Sequence, residues 1–263
     1  MGIVNVTPDS FYDGGRYAEA GAAIERARRL VEEGADLLDL GAESTRPGSD
    51  AVPADEELRR LLPVLDAVAT FGVPVSVDTA KPEVMRVAIE RGAALINDIT
   101  ALGTPGAVAV VAASDVAVCL MHMQGAPRTM QADPVYDDVV TEVRDFLVAR
   151  AEACVAAGIA RDRIVIDPGF GFGKTVAHNL ALLRALERFA ATGFAVLAGW
   201  SRKSSLGRIT GRSAEERLAA SLAAALIAAQ HGARILRVHD VAATRDVLAV
   251  WEAVENDKKV FRH

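Results

Sequence analysis

Eight short apolar runs, each followed by a longer amphipathic, alanine-rich stretch, dominate this 263-residue chain and leave few ways to fold it. The runs cover residues 3–6, 37–40, 73–77, 94–96, 116–120, 164–166, 195–198 and 235–238, and each has the length of a strand. Between them the apolar period lengthens. Ile24, Ala27 and Val31 fall at i, i+3 and i+7, and Gly34 then stops the helix. Gly72, Gly92, Gly158, Gly193 and Gly232 likewise stand just before strands, as helix C-caps do. Late in the chain Leu218, Leu222 and Leu226 step by four along an alanine-rich helix expected over 214–229. Eight strand–helix pairs with no linker, low-complexity segment or compositional break predict an α/β fold, a single-domain (β/α)₈ TIM barrel over residues 1–263. A doubly wound open sheet is the alternative.

Polar residues gather where each run ends. Asn5 and a loop with Pro8, Asp9, Ser10 and Asp13 follow the first, and the sequence Gly-Ala-Glu-Ser-Thr-Arg-Pro-Gly over 41–48 follows the second. The third ends in Asp78-Thr79, the fourth in Asn97-Asp98, and the fifth in Met121-His122-Met123-Gln124-Gly125. The sixth gives Asp-Pro-Gly-Phe-Gly-Phe-Gly-Lys over 167–174, the seventh Gly199-Trp200-Ser201-Arg202-Lys203-Ser204, and the eighth Arg237-Val238-His239-Asp240. In a parallel barrel all eight ends meet at one mouth, which is where such folds assemble their sites. Asp78 alone would read as a helix N-cap, but eight polar ends in succession read as a site.

Two motifs fail on spacing. Gly173-Lys174-Thr175 resembles the tail of a phosphate loop, but Pro168 occupies the position of the required first glycine, and Val176 breaks the dinucleotide fingerprint counted from Gly171 and Gly173. The stretch is better suited to letting a flat ligand lie close to backbone. His122 and His239 are far apart in sequence, with no third ligand at zinc-site spacing.

The bulk properties exclude other classes. A net charge of −6 argues against a general nucleic-acid binder, which needs a basic face. No apolar stretch is long enough to span a bilayer. The two cysteines, Cys119 in a strand-like run and Cys154 in a helical one, read as buried structural thiols, which points to a reducing, cytoplasmic compartment. The chain opens directly on a strand, so a segment trimmed from its N-terminus is expected.

The motifs over 5–15 (NVTPDSFYDGG), 43–48 (ESTRPG), 76–82 (SVDTAKP), 96–99 (INDI), 167–174 (DPGFGFGK), 201–204 (SRKS) and 237–241 (RVHDV), in this order, resemble those of the dihydropteroate synthases within the wider pterin-binding group. The resemblance spans nearly the whole chain. Ala42 stands where the family often has glycine and Tyr12 where serine is frequent.

The resemblance implies a (β/α)₈ barrel with a leader hairpin beneath it. It also implies a reaction joining 6-hydroxymethyl-7,8-dihydropterin pyrophosphate to 4-aminobenzoate, giving 7,8-dihydropteroate and pyrophosphate for folate biosynthesis. By the same resemblance Asp78, Asn97, Met121, Asp167, Phe172, Gly199 and Lys203 bind the pterin, and Asp78, Lys203 and Arg237 carry the catalysis. Asn5, Thr45, Arg237 and His239 take the pyrophosphate, with Asn5 a ligand of Mg²⁺; Thr45, Pro47, Phe172 and Ser204 take the aminobenzoate, where sulfonamides would compete. A homodimer through the late helices is implied as well. The chemistry suits the residue types. A carboxylate reads the paired N–H donors of a pterin, and cations face a leaving anion. A methyltransferase domain presenting a methylated folate, and a non-catalytic pterin-binding paralogue, are the competing readings.

Overall fold

The computed structural model describes residues 1–6, 16–44, 52–126 and 128–255. Strands and helices alternate in the order β1 (Gly2–Asn5), α1 (Arg16–Glu32), β2 (Leu38–Gly41), α2 (Ala54–Val68), β3 (Val75–Asp78), α3 (Pro82–Glu90), β4 (Leu95–Asp98), α4 (Ala107–Ala112), β5 (Ala117–Met121), α5 (Val139–Ala156), β6 (Ile164–Asp167), α6 (Val176–Arg184), α7 (Glu187–Ala190), β7 (Ala195–Ala198), α8 (Ser204–Thr210), α9 (Leu218–Gln230), β8 (Ile235–Leu236) and α10 (Val241–Glu255). A 3₁₀ turn, Arg161–Arg163, leads into β6.

The strands form one parallel sheet in sequential order from β1 to β8. A doubly wound sheet reverses its strand order at a switch point, so this topology discards that alternative. The sheet curls until its ends meet: Gly2 bridges Val238 in parallel, Ile3 N–H donates to the Val238 carbonyl at 3.0 Å, and Val238 N–H to the Met1 carbonyl at 2.9 Å.

Local chemistry sets the helix boundaries. Gly34, Gly72, Gly92, Gly158, Gly193 and Gly232 all adopt positive φ, between 78° and 99°, as C-cap glycines do. Pro82 opens α3, where a missing N–H costs nothing. Asp138 caps α5 by accepting from the N–H groups of Val140 and Thr141, and Thr175 caps α6 through a reciprocal box with His178. In α2, Glu57, Leu61, Val64, Leu65 and Val68 are the buried residues, a 3.6-residue stripe against the sheet.

Helix α9 differs from its sequence reading. It covers Leu218–Gln230 instead of 214–229, and its buried residues are Ser221, Ala224, Ala225 and Ala228. The small residues let the helix approach closely, while Leu218 and Ile227 stay exposed.

The apolar core has two parts. The larger lies between sheet and helices and includes Val4, Leu38, Leu40, Val77, Ile96, Val118, Leu120, Ile166 and Val196. The smaller comprises Leu95, Cys119, Val165 and Leu197, with Met1, Ala117, Ala195 and Ile235 packed against it. Strand side chains alternate between faces, so this second cluster fills the inside of the curled sheet. Both cysteines are free and buried.

Candidate active site

The inner cluster explains why polar side chains collect at the strand ends. Asn97, Met121, Asp167, Gly199 and Arg237 each stand two residues beyond an inward-facing Leu95, Cys119, Val165, Leu197 or Ile235. They therefore share the inner face, one layer nearer the C-terminal ends of the strands. The strand register adds Asn5, Gly41 and Asp78, since Asn5 pairs with Gly41, Gly41 with Asp78, and Asp78 with Asn97. Below is an apolar floor; above it is a cup of two acids, two amides and an arginine.

A charge network anchors the cup. Arg237 Nε donates to Asp39 Oδ2 at 2.6 Å, and Arg237 Nη2 to Asp78 Oδ2 at 3.1 Å. The Ser76 hydroxyl donates to Asp39 Oδ1 at 2.6 Å, and Asn97 Nδ2 reaches Asp39 Oδ2 at 3.4 Å. Asp39 is fully buried, and this arginine and these donors supply its polar partners. Burial works against the Arg237 charge, but Asp39 and Asp78 outweigh it and hold the guanidinium more strongly protonated than usual. The arginine is thus fixed by two carboxylates, leaving the rest of its N–H edge for a ligand.

The two acids at the rim behave alike. Burial raises Asp78 to a pKa of about 7, against the opposing pull of Arg237. Burial also raises Asp167, opposed by the N–H of Gly169 at 2.7 Å and by Lys203 and Lys174. Lys203 is pushed down to about 8 by burial, with Asp167 resisting. Its Nζ donates to the Phe170 carbonyl at 2.6 Å and lies 4.2 Å from the centre of the Phe172 ring. Lys203 therefore ties β7 to the glycine turn after β6, with the aromatic face beside it.

Two glycines keep the cup open. A Cβ on Gly199 would stand 3.9 Å from Arg237 Cβ, and one on Gly41 3.7 Å from Asp78 Cβ. Neither would clash, but each would fill space beside a charged residue. In the turn after β6 the requirement is stricter. Gly169 has φ +69°, and a Cβ there would lie 1.9 Å from the His122 carbonyl oxygen. Only glycine fits.

The remaining residues singled out in the sequence fall as follows. Asn5 ends β1 and is exposed. Arg237 and His239 lie just past the two-residue β8, not within a longer strand, because the ladder with β7 pairs only Ile235 and Leu236. Arg237 still continues the strand path, donating its N–H to the Ala198 carbonyl at 3.0 Å. Ser201 Oγ accepts the His239 N–H at 3.1 Å and stands 3.0 Å from His239 Nδ1. Ser204 is the exposed first residue of α8. Thr45 and Pro47 lie outside the described residues.

Sequence reasoning passed over Asp39 and Ser76, which sit inside strands rather than at their ends. An acid between two leucines was the available signal. It also passed over Lys81, whose Nζ forms ion pairs with Glu43 and, at 2.6 Å, with buried Glu57. Glu43 also accepts the Val52 N–H at 2.9 Å, so it joins Val52 to Lys81.

A cavity of about 710 Å³ lies at the opposite end of the strands, lined by residues such as Met1, Phe194, Leu236, Leu248 and Trp251. It includes none of the strand-end acids or amides, so the convergent chemistry lies elsewhere.

The chain is also similar to known proteins. The family described as pterin binding enzyme matches residues 1–239. A dihydropteroate synthase of Neisseria meningitidis serogroup B is 54% identical over 261 residues, covering 97% of this chain and 92% of that protein. Among solved structures, the Xanthomonas albilineans dihydropteroate synthase with 4-aminobenzoic acid superposes with a TM-score of 0.92 at 57% identity, covering 97% of this chain and 92% of that one. The same enzyme in complex with 7,8-dihydropteroate gives a TM-score of 0.88 at 55% identity, covering 97% and 93%.

Proposed function

The chain belongs to the pterin-binding enzyme family, and from that premise we propose that it acts as a dihydropteroate synthase, condensing 6-hydroxymethyl-7,8-dihydropterin pyrophosphate with 4-aminobenzoate to give 7,8-dihydropteroate and pyrophosphate in folate biosynthesis. The fold is a closed (β/α)₈ barrel and the whole chain forms one pterin-binding domain. The observation that carries this reading is the strand-end cup. It sets Asp78, Asn97, Asp167, Lys203 and Arg237 around one inner face, with Asp39 fixing the arginine.

Asp167 accepts the paired N–H groups of the pterin, Asn97 and Lys203 meet its amide edge, and Met121, Phe172 and Gly199 form a flat slot for the ring. The pyrophosphate lies against Asn5, Thr45, Arg237 and His239. Its departure leaves a resonance-stabilised pterin cation, which Asp78 stabilises electrostatically. The weakly nucleophilic arylamine then attacks a strong electrophile, so no protein nucleophile is needed. Water must be kept from the cation until that attack. The aminobenzoate carboxylate meets the Ser204 hydroxyl, with Thr45, Pro47 and Phe172 completing that pocket. Sulfonamides, which mimic the arylamine acid, compete there.

A magnesium ion fits the donor set at β1. Asn5 is an exposed amide at a strand end, and no group of three or more acids, histidines or cysteines able to cage a metal occurs among the described residues. One amide oxygen suits a hard cation that arrives on phosphate oxygens and keeps much of its water. Such an ion would neutralise the charge of the leaving pyrophosphate. The protein works in the cytoplasm, consistent with two buried free thiols; no helix among the described residues is long and apolar enough to cross a membrane. It forms a homodimer through the late helices, a reading supported by exposed Leu218, Ile227, Val250 and Val254 on α9 and α10.

The test is turnover. The purified chain, given the pterin pyrophosphate, should release pyrophosphate and form dihydropteroate in equal amounts, with sustained turnover requiring 4-aminobenzoate. Pterin binding without turnover would leave a non-catalytic paralogue, and methyl transfer from a methylated folate would move the chain to the methyltransferase branch.

A further inference from the structure

Lys174 is a buried lysine for which the reaction above has no use. It closes the glycine turn after β6, and its Nζ has three acceptors: His122 Nδ1 at 3.0 Å, the His122 carbonyl at 3.3 Å and the Phe172 carbonyl at 2.9 Å. An ammonium has one N–H for each. A neutral amine would turn its lone pair toward one of the three oxygens or nitrogens. The cage is therefore built for the charged form, although burial presses the pKa down to about 7; Asp167 opposes that pressure and Lys203 adds to it. His122 must then accept at Nδ1 and carry its proton on Nε2. Burial, and next the Lys174 charge, push its pKa down to about 3, so the ring stays neutral.

The two carbonyls belong to different elements. His122 follows β5, whereas Phe172 lies within the turn after β6. That turn is pressed onto the β5 segment: a Cβ on Gly173 would stand 2.4 Å from the Gln124 carbonyl oxygen, as one on Gly169 would strike that of His122. Apposed carbonyls repel, and a cation placed between them reverses the sign of the interaction. Tyr136 donates to the Gly173 carbonyl at 2.8 Å, and Phe146 meets the His122 ring edge-on at 5.0 Å.

We propose that Lys174 is a positioning residue: its buried ammonium clamps the glycine turn after β6 to the backbone after β5 and so fixes where Met121 and Phe172 stand as the apolar walls of the slot. The role deepens the reading of the cup as a pterin pocket and rests on it. Lys174 touches no reacting atom. Lys203 grips the same turn from the other side, at Phe170, so two lysines hold it between β5 and β7.

Nitrogen-15 NMR of the imidazoles, together with steady-state kinetics on the full chain, tests this. In the wild type His122 should be the Nε2–H tautomer and stay neutral well below pH 6. In Lys174→Met the tautomer preference should weaken and the ring should titrate at higher pH. KM for the pterin substrate should rise about tenfold, since a shift on the order of an ångström in a positioned site is enough for that, with a smaller change in kcat. The proposal fails if wild-type His122 is protonated at Nδ1 or titrates near 6.5, a result that needs no variant to fold. It fails equally if folded Lys174→Met keeps the wild-type KM. Absence of turnover in the wild type would instead overturn the functional reading and leave the tautomer result standing.

Discussion

Replacing Asp78 by Asn isolates the charge that the mechanism asks for. The side chain keeps its size and its place beside Arg237, but can no longer face a developing cation as an anion. A carboxylate about 5 Å from that charge, at an effective dielectric of about 20, contributes about 3 kcal/mol. Turnover should then fall on the order of a hundredfold. Pterin affinity should change much less, because the ground-state ring is neutral and Asp167 with Asn97 still reads its edge. The pH profile supplies a second readout. Asp78 titrates at about 7 against an ordinary value of 3.8, so kcat/KM should climb with pH through that region as the active anion forms. The Asn variant should lose this limb. Stability should follow the opposite sign: a raised folded-state pKa favours folding fully below 3.8 and progressively less as pH rises through about 7, a slope the variant lacks. Pyrophosphate release at saturating substrate, calorimetric binding of the pterin and denaturant melts across pH check all three. Equal losses in affinity and turnover, or an acid limb that survives the substitution, would refute the electrostatic role.

Other substitutions probe the supports of the cup. Arg237→Ala leaves Asp39 and Asp78 without their cation; breaking such a buried pair should cost about 3–5 kcal/mol in chemical denaturation, and turnover should fall with it. Gly169→Ala puts a methyl group where the His122 carbonyl oxygen stands, so the turn must move; pterin binding by calorimetry should weaken markedly and the melting temperature drop. Ser204→Ala should raise KM for 4-aminobenzoate and leave the pterin dissociation constant unchanged.

The strands were legible from an apolar run at each and, at six of them, from a glycine whose positive φ ends the preceding helix. Asn97, Asp167 and Asp78 were legible for a related reason, since a polar residue ending an apolar run breaks its pattern. Asp39 was hidden by the same logic. It lies within the run, and only its contacts with Ser76, Asn97 and Arg237, 37, 58 and 198 residues away, reveal why an acid is tolerated there. Lys174 was similarly opaque, because its principal partner, His122, is 52 residues distant. Periodicity found the leucine stripe of α9 but not its direction. The buried residues are Ser221, Ala224, Ala225 and Ala228, which a step of four between leucines does not state.

The most direct test of the central claim is a crystal structure with an unreactive pterin pyrophosphate analogue and 4-aminobenzoate bound together. The account predicts one continuous cavity at the C-terminal ends of the strands. The pterin edge should lie on Asp167 and Asn97, the ring against Phe172 and Met121, and the pyrophosphate on Arg237 and His239, with Asp78 facing the methylene carbon. Asp167 and Arg237 opening onto separate cavities, or ligand seated instead at the Trp251 end of the barrel, would contradict it.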